Sequence, residues 1–304
     1  LEIKTIGMLR PPRSTVAATM TSPEPTILAE LARFDRDAHA LVQLAAPPVR
    51  AGLASLYGFN LEVAKIREVV RDGLTGQFRL QWWRDTIDEL FADAAPRRHP
   101  VAASLAQTIR NHGLPRAPFD RMLEARGFDL EDRAPSTRAA LEEYAEASGA
   151  PLFTLAAHLA DRSRPPPPAV EHAAAAAGKA RVIAGLLVAV PFYARQRRIM
   201  IPDDVAHAHG LRVETLLDRL KPVDGLVASV ASLAAIAQTE LDEARRCAAA
   251  LPRSYRPAFL PLVLVRDHLQ ALRRGGYDPF DPRVKTAQRF RYAKLAVAAF
   301  LNRV

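Results

Sequence analysis

The stretch LASLYGFNLEVAKIREVV, residues 53–70, decides the fold. Leu53, Leu56, Val63, Ile66 and Val70 recur at spacings of three, four and seven, which is one face of an α-helix. Tyr57 and Phe59 sit mid-stretch, and Asp72-Gly73 closes the pattern. The opposite face carries Glu62, Lys65, Glu68 and Asp72, yet no aspartate lies between Leu61 and Arg71.

Working outward, the same period continues almost everywhere. Ser22, Pro23 and Glu24 form a helix start of cap, first-turn proline and first-turn acid, and that helix is expected to run to Pro47-Pro48. The segment LTGQFRLQWWRDTIDELFAD, residues 74–93, predicts a helix burying Leu80, Trp83, Ile87 and Leu90 or Phe91. Further helices are expected near 100–111, 116–128, 137–160 (capped by Ser136), 169–190, 223–250, 255–274 and 285–302, with a proline break at Pro191. The four prolines at 165–168 read as an interhelical loop. Composition agrees: of 304 residues 49% are hydrophobic, glycine is scarce, and alanine- and leucine-rich runs replace β-branched ones. The expectation is an all-α, single-domain bundle of about ten helices over residues 21–304, preceded by a disordered leader at 1–20 or by an over-long start with Met8 or Met20 as the true beginning.

The single cysteine, Cys247, excludes an intrachain disulfide and has no motif around it. A net charge of +9 suits an anionic partner. The basic residues are scattered with no aromatic interleaving, so nucleic acid is not expected. The longest apolar run, VIAGLLVAVPF at 182–192, is too short for a bilayer span of about 20 residues. No nucleophile elbow or glycine-rich phosphate loop occurs. His207 and His209 at i and i+2 point apart on a helix and are not expected to hold a metal.

Four stretches carry a resemblance: FDRDAHALVQLAAPPVRAGLASLYGF (34–59) running into FNLEVAKIREVV (59–70), then GQFRLQWWRDTIDELF (76–91), then GKARVIAGLLVAVPFYARQRRIMIPDD (178–204). In this order and spacing they resemble the squalene/phytoene synthase superfamily, from about residue 30 to at least 275. The resemblance implies an isoprenoid-synthase-like fold and, for active members, condensation of two prenyl diphosphates. That chemistry uses Mg²⁺ to neutralise the departing diphosphate, held by aspartates on two facing helices. The family's aspartate positions fall here on Ala64, Lys65 and Glu68 and on Ala189, Phe192 and Tyr193, so one of the six keeps a carboxylate. The chain is most similar to the branch that includes a mitochondrial complex I assembly factor and its bacterial relatives, through Phe59-Asn60-Leu61-Glu62, Gln81-Trp82-Trp83, Gly178-Lys179-Ala180 and the basic run Arg195 to Pro202. That branch implies action without known prenyl transfer, peripheral to the inner membrane on its matrix or cytoplasmic side, during biogenesis of a membrane subunit of the respiratory NADH dehydrogenase.

No catalytic residue, metal or other cofactor is therefore expected. The candidate cavity or anion-binding residues are Tyr57, Asn60, Lys65, Arg67, Arg71, Gln81, Arg84, Lys179, Arg195, Arg197 and Arg198, since lysine and arginine can hold a phosphate directly. The charged stripe at 62–72 reads equally as a solvated face. Asp203 is expected to cap a helix, Trp82 and Trp83 to anchor the core, and Phe192 to be buried. Three functional readings stand. The first is an assembly factor with a membrane-protein or respiratory-complex client. The second is a prenyltransferase with Mg²⁺ on relocated ligands, Glu62, Glu68 and Asp72 with Asp203 or Asp204. The third is a binder of anionic lipid or prenyl diphosphate without chemistry. The last helix, basic and apolar by turns, either closes the bundle or lies on an anionic membrane.

Overall fold

The computed structural model describes residues 24–70, 73–131, 133–160, 165–286 and 290–303; the leader assigned to 1–20, the start at Ser22, and Arg71 and Asp72 lie outside them. The regular structure among the described residues is all helical, with no strand. In chain order the α-helices are α1 (Glu24–Phe34), α2 (Arg36–Leu44), α3 (Pro47–Ala64), α4 (Ile66–Val69), α5 (Gly73–Phe91), α6 (Pro100–His112), α7 (Ala117–Ala125), α8 (Arg138–Ala160), α9 (Ala169–Val188), α10 (Val190–Arg195), α11 (Asp203–Ala208), α12 (Val213–Arg219), α13 (Leu226–Ala250), α14 (Leu262–Arg274), α15 (Pro282–Thr286) and α16 (Arg291–Leu301).

Four expected helices are each divided, one of them that near 255–274, which opens as a 3-10 turn at Arg256–Phe259 before α14 begins. The first breaks at Asp35, whose carboxylate accepts from the Ala38 N–H at 2.9 Å and so caps α2. The second breaks at Lys65 between α3 and α4. The last resolves into α15 and α16, leaving Phe290 in the turn before α16. The cap of α8 is Thr137, one residue later than expected, its hydroxyl accepting from the Ala140 N–H at 3.1 Å.

Two hydrophobic cores share α8. Its Leu152, Leu155 and Leu159 join α1–α7, while Phe153 and Ala157 join α9, α13 and α14. A helix apolar on both faces becomes an internal wall. Against it lies α9, where Ala173, Ala174, Ala177, Ala180 and Ala184 are fully buried, and such small side chains bring helix backbones close together. In the first core Phe59 meets Trp83 and Phe119 edge-to-face at 5.2 and 5.5 Å. Trp83 is buried, as expected, and His99 packs on both tryptophans.

A buried polar latch fastens α16. The Arg291 guanidinium donates to Asp37 at 2.8 Å and to His268 Nε2 at 2.7 Å, and Tyr292 donates to Asp37 at 3.1 Å. Burial pushes the His268 imidazole down to about 4, with Arg291 and Arg181 adding to the effect and Asp267 opposing it. The folded value lies below the unfolded one, near 6.5. The unfolded chain therefore takes up a proton that the folded chain refuses, and stability falls as pH drops from about 6.5 towards 4, by about 2–3 kcal/mol for this group. Denaturant titrations across that window are expected to show a loss that His268→Gln, which keeps an acceptor for Arg291, largely removes. An unchanged pH slope in the variant would refute the assignment.

Candidate functional site

Where α10 ends, the chain turns through a Schellman motif: Arg198 N–H donates to the Tyr193 carbonyl and Arg197 N–H to that of Ala194, both at 3.0 Å. Arg197 takes the left-handed position, φ +54°, where glycine is usual. Holding a side-chain-bearing residue there costs about 1 kcal/mol or more, and the result is two consecutive arginines aimed at one place. They line an open cleft of about 650 Å³ with Arg67 from α4 and Arg133 from the segment before α8. Asp203, His207 and Glu214 complete its polar wall. Arg197 pairs with Asp218 at 3.1 Å at the surface, and Arg133 with Glu131 at 2.5 Å.

Behind the mouth lies a buried network. Arg126 donates to Asp129 at 3.0 Å and to the Tyr144 hydroxyl at 3.1 Å, and Tyr144 donates to Asp129 at 2.6 Å. Arg198 reaches the Asp129 backbone carbonyl at 2.9 Å and stands 6.0 Å from the Tyr193 ring centre. Burial pushes the Tyr144 and Tyr193 hydroxyls well above the usual phenol range. For Glu68 on α4, burial raises the carboxyl above the ordinary value despite the pull of Lys65 and Arg198, with Asp129 adding to the rise.

These contacts decide whether a Mg²⁺ cluster fits. Ala64 and Ala189 offer no ligand atom, and Phe192 is 44% exposed rather than buried, its ring against Tyr193. Tyr193 offers a neutral hydroxyl-bearing ring in place of a carboxylate, with Arg198 6.0 Å from its centre. Glu68 is the remaining carboxylate among the six positions, and Arg198 occupies its surroundings. The described members of the relocated set are dispersed. Glu62 pairs with Lys65 at 3.8 Å and lines a separate small pocket with Trp82, Trp83 and His99. Asp204 adds a second acceptor at the start of α8, taking the Arg138 N–H at 3.0 Å; Asp203, expected to cap the helix that follows it, is instead the first residue of α11, whose N-cap is Pro202, and it lines the cleft. Among the described residues this site does not fit a bridging Mg²⁺ cluster.

Of the candidates, Arg67, Arg197 and Arg198 meet in the cleft, and Arg195 is exposed beside it. The others go elsewhere. Lys65 pairs with Glu30 at 3.3 Å and stacks on Phe34 at 4.3 Å, so it faces α1. Gln81 donates to Asp85 and accepts from Arg84 on the outer face of α5. Lys179 pairs with Glu240 of α13 at 2.7 Å. Tyr57 lines an apolar pocket against α2 and α8, and Asn60 is buried in α3 with its Oδ1 unpartnered. Arg126, Asp129, Arg133 and Tyr144 lie between the matching stretches, where no motif marks them. His207, whose spacing from His209 argues against a metal site, lines the cleft instead.

Outside this site, His172, Glu243 and Cys247 cluster on α9 and α13. Arg246 donates to both Glu243 oxygens, holding that carboxyl down at about 2, while burial raises the Cys247 thiol.

The squalene/phytoene synthase family model matches residues 31–291. A Bos taurus protein named NADH dehydrogenase (ubiquinone) complex I, assembly factor 6 is 31% identical over 235 residues, covering 77% of this chain and 68% of its own. Its Drosophila melanogaster homolog is 28% identical over 253 residues, covering 81% and 74%. Among solved structures, a dehydrosqualene synthase superposes with a TM-score of 0.76 at 19% identity, over 92% of this chain and 95% of that one. A squalene synthase from Alicyclobacillus acidocaldarius gives 0.70 at 22%, over 85% and 95%. At those identities the two structures speak for the fold.

Proposed function

The chain belongs to the squalene/phytoene synthase family, and we propose that within it this protein serves the biogenesis of respiratory complex I at a membrane surface without performing prenyl transfer. The observation that carries this is that five of the six positions where the family places aspartates hold Ala64, Lys65, Ala189, Phe192 and Tyr193, leaving Glu68 as their one carboxylate, with Arg198 nearby on the Arg126–Asp129–Tyr144 network. Arginines bind an anion, but they do not draw a diphosphate off an allylic carbon as bridging metals do. The named function of the bovine and fly relatives supplies the process. No helix among the described residues is long and apolar enough to cross a membrane, which fits a protein acting on a membrane subunit from its side.

The cleft favours a second reading of the same site: retention of a prenyl diphosphate or phospholipid headgroup without turnover. One incubation tests both. With farnesyl or geranylgeranyl diphosphate and Mg²⁺, pyrophosphate release is expected at the level of a protein-free control, and equilibrium dialysis reports retention of intact ligand. Squalene- or phytoene-type product would overturn the proposal. Deleting the gene from its source is expected to abolish assembled NADH dehydrogenase; a normal complex would remove the biogenesis role.

A further inference from the structure

The outer face of α16 is apolar and uncovered. Val297, Phe300 and Leu301 lie at i, i+3 and i+4 on one side, 57%, 90% and 49% exposed. The inner face is held by Leu295, fully buried, and by the Arg291–Asp37–His268 latch. The outward stripe is therefore a fixed feature of a docked helix.

Beside it runs a basic trough. One groove between α13, α14 and α16 is lined by Arg245, Arg256, Arg266 and Arg303, with Ala298 and Asn302 of α16. An adjoining groove shares Arg245 and Arg266 and adds Arg273. Among the described residues no carboxylate lines either. Arg256 is fixed by donating to the Leu251 and Ala249 carbonyls at 3.0 and 2.8 Å, which orients it without neutralising it. Lys294 is tied to Asp267 at 2.9 Å, so the trough's charge rests on Arg256, Arg266, Arg273 and Arg303.

We propose that the α16 stripe and this arginine trough form one docking surface for an anionic phospholipid bilayer. Aliphatic and aromatic side chains enter the acyl boundary while guanidinium groups meet the lipid phosphates. Nucleic acid would use the arginines but leave Val297, Phe300 and Leu301 in water. The inference rests on the membrane-surface part of the proposed function and is independent of the client and of the cleft.

The test is co-sedimentation of the full chain with vesicles of phosphatidylcholine alone or with added phosphatidylglycerol. Binding is expected only with the anionic lipid and is expected to weaken with salt. Arg266→Gln and Arg303→Gln are each expected to lower partitioning about fivefold, and Phe300→Ser about tenfold. All three residues reach the surface, and unchanged helical circular dichroism confirms folding. Equal binding to neutral vesicles would overturn the role of the trough. Binding unmoved by Phe300→Ser would overturn the role of α16. A chain that is dimeric in light scattering and becomes monomeric with Phe300→Ser, or that binds single-stranded RNA in preference to anionic vesicles, would overturn the proposal. If vesicle binding fails while gene deletion still removes the NADH dehydrogenase, this surface is wrong and the biogenesis role stands. If binding holds and deletion has no effect, the reverse is true.

Discussion

Replacing Gly178 with alanine is expected to cost at least about 3 kcal/mol of stability, and with valine to prevent folding. A Cβ at 178 would stand 2.3 Å from the Ala150 amide nitrogen and 2.8 Å from both Ala150 Cα and the Gly149 carbonyl carbon. A Cβ at Gly149 would likewise meet the Gly178 carbonyl oxygen at 2.7 Å. All of these are backbone atoms, so no rotamer change relieves the overlap and α8 must move off α9. That separation opens space along the buried alanines of α9 and the Phe153–Ala157 face of α8, and loosely packed interiors lose contacts outright. Gly185, in the same helix, meets nothing within 4 Å; Gly185→Ala is expected to be neutral or to add up to about 1 kcal/mol through helix propensity. Urea titrations of the three variants read the contrast directly. Gly178→Ala unfolding at the wild-type midpoint would show that the helices are not in backbone contact.

Arg126→Met is expected to destabilise the protein by about 3–5 kcal/mol, because it strands a buried carboxylate. Asp129 would keep the Tyr144 hydroxyl and lose its buried cation. The side chains of Arg126 and Asp129 are each 15% exposed, so water replaces little of what is lost. Removing both charges is expected to cost less than the sum of the two single changes, since neither substitution then leaves an unpaired partner. A double-mutant cycle with Asp129→Leu measures that coupling. The single change is also expected to loosen the cleft mouth, because Asp129 presents the backbone carbonyl that Arg198 uses. A loss under about 1 kcal/mol for Arg126→Met would mean that the network is solvated and carries no structural weight.

Residues 53–70 announced their helix through periodicity alone, and the order of the matching stretches announced the bundle around it. The break at Asp35 was equally legible, for an aspartate three residues before an unsatisfied N–H is a capping signal; the apolar period running through it hid the cue. The break at Lys65 and the division of the last helix had no comparable mark. At the site, Arg67, Arg197 and Arg198 lay within quoted motifs and do share a cleft. Gln81, Arg84 and Lys179 lay in the same motifs and do not, since a motif fixes which helix a residue occupies and only the helix's neighbours decide what it faces. The glycine of Gly178-Lys179-Ala180 was read as part of a family pattern; its physical meaning is a helix crossing too close for any side chain.

By itself the sequence determined the helical architecture, the family and the lack of paired acidic residues at the two metal positions, because those depend on residue type and local spacing. Tertiary structure alone decided that Arg67, Arg197 and Arg198 share one cleft, that Lys65 turns away to Glu30, and that four arginines line a groove with α16. Those groups are far apart along the chain, and their distances are set by how whole helices pack, which no local pattern encodes.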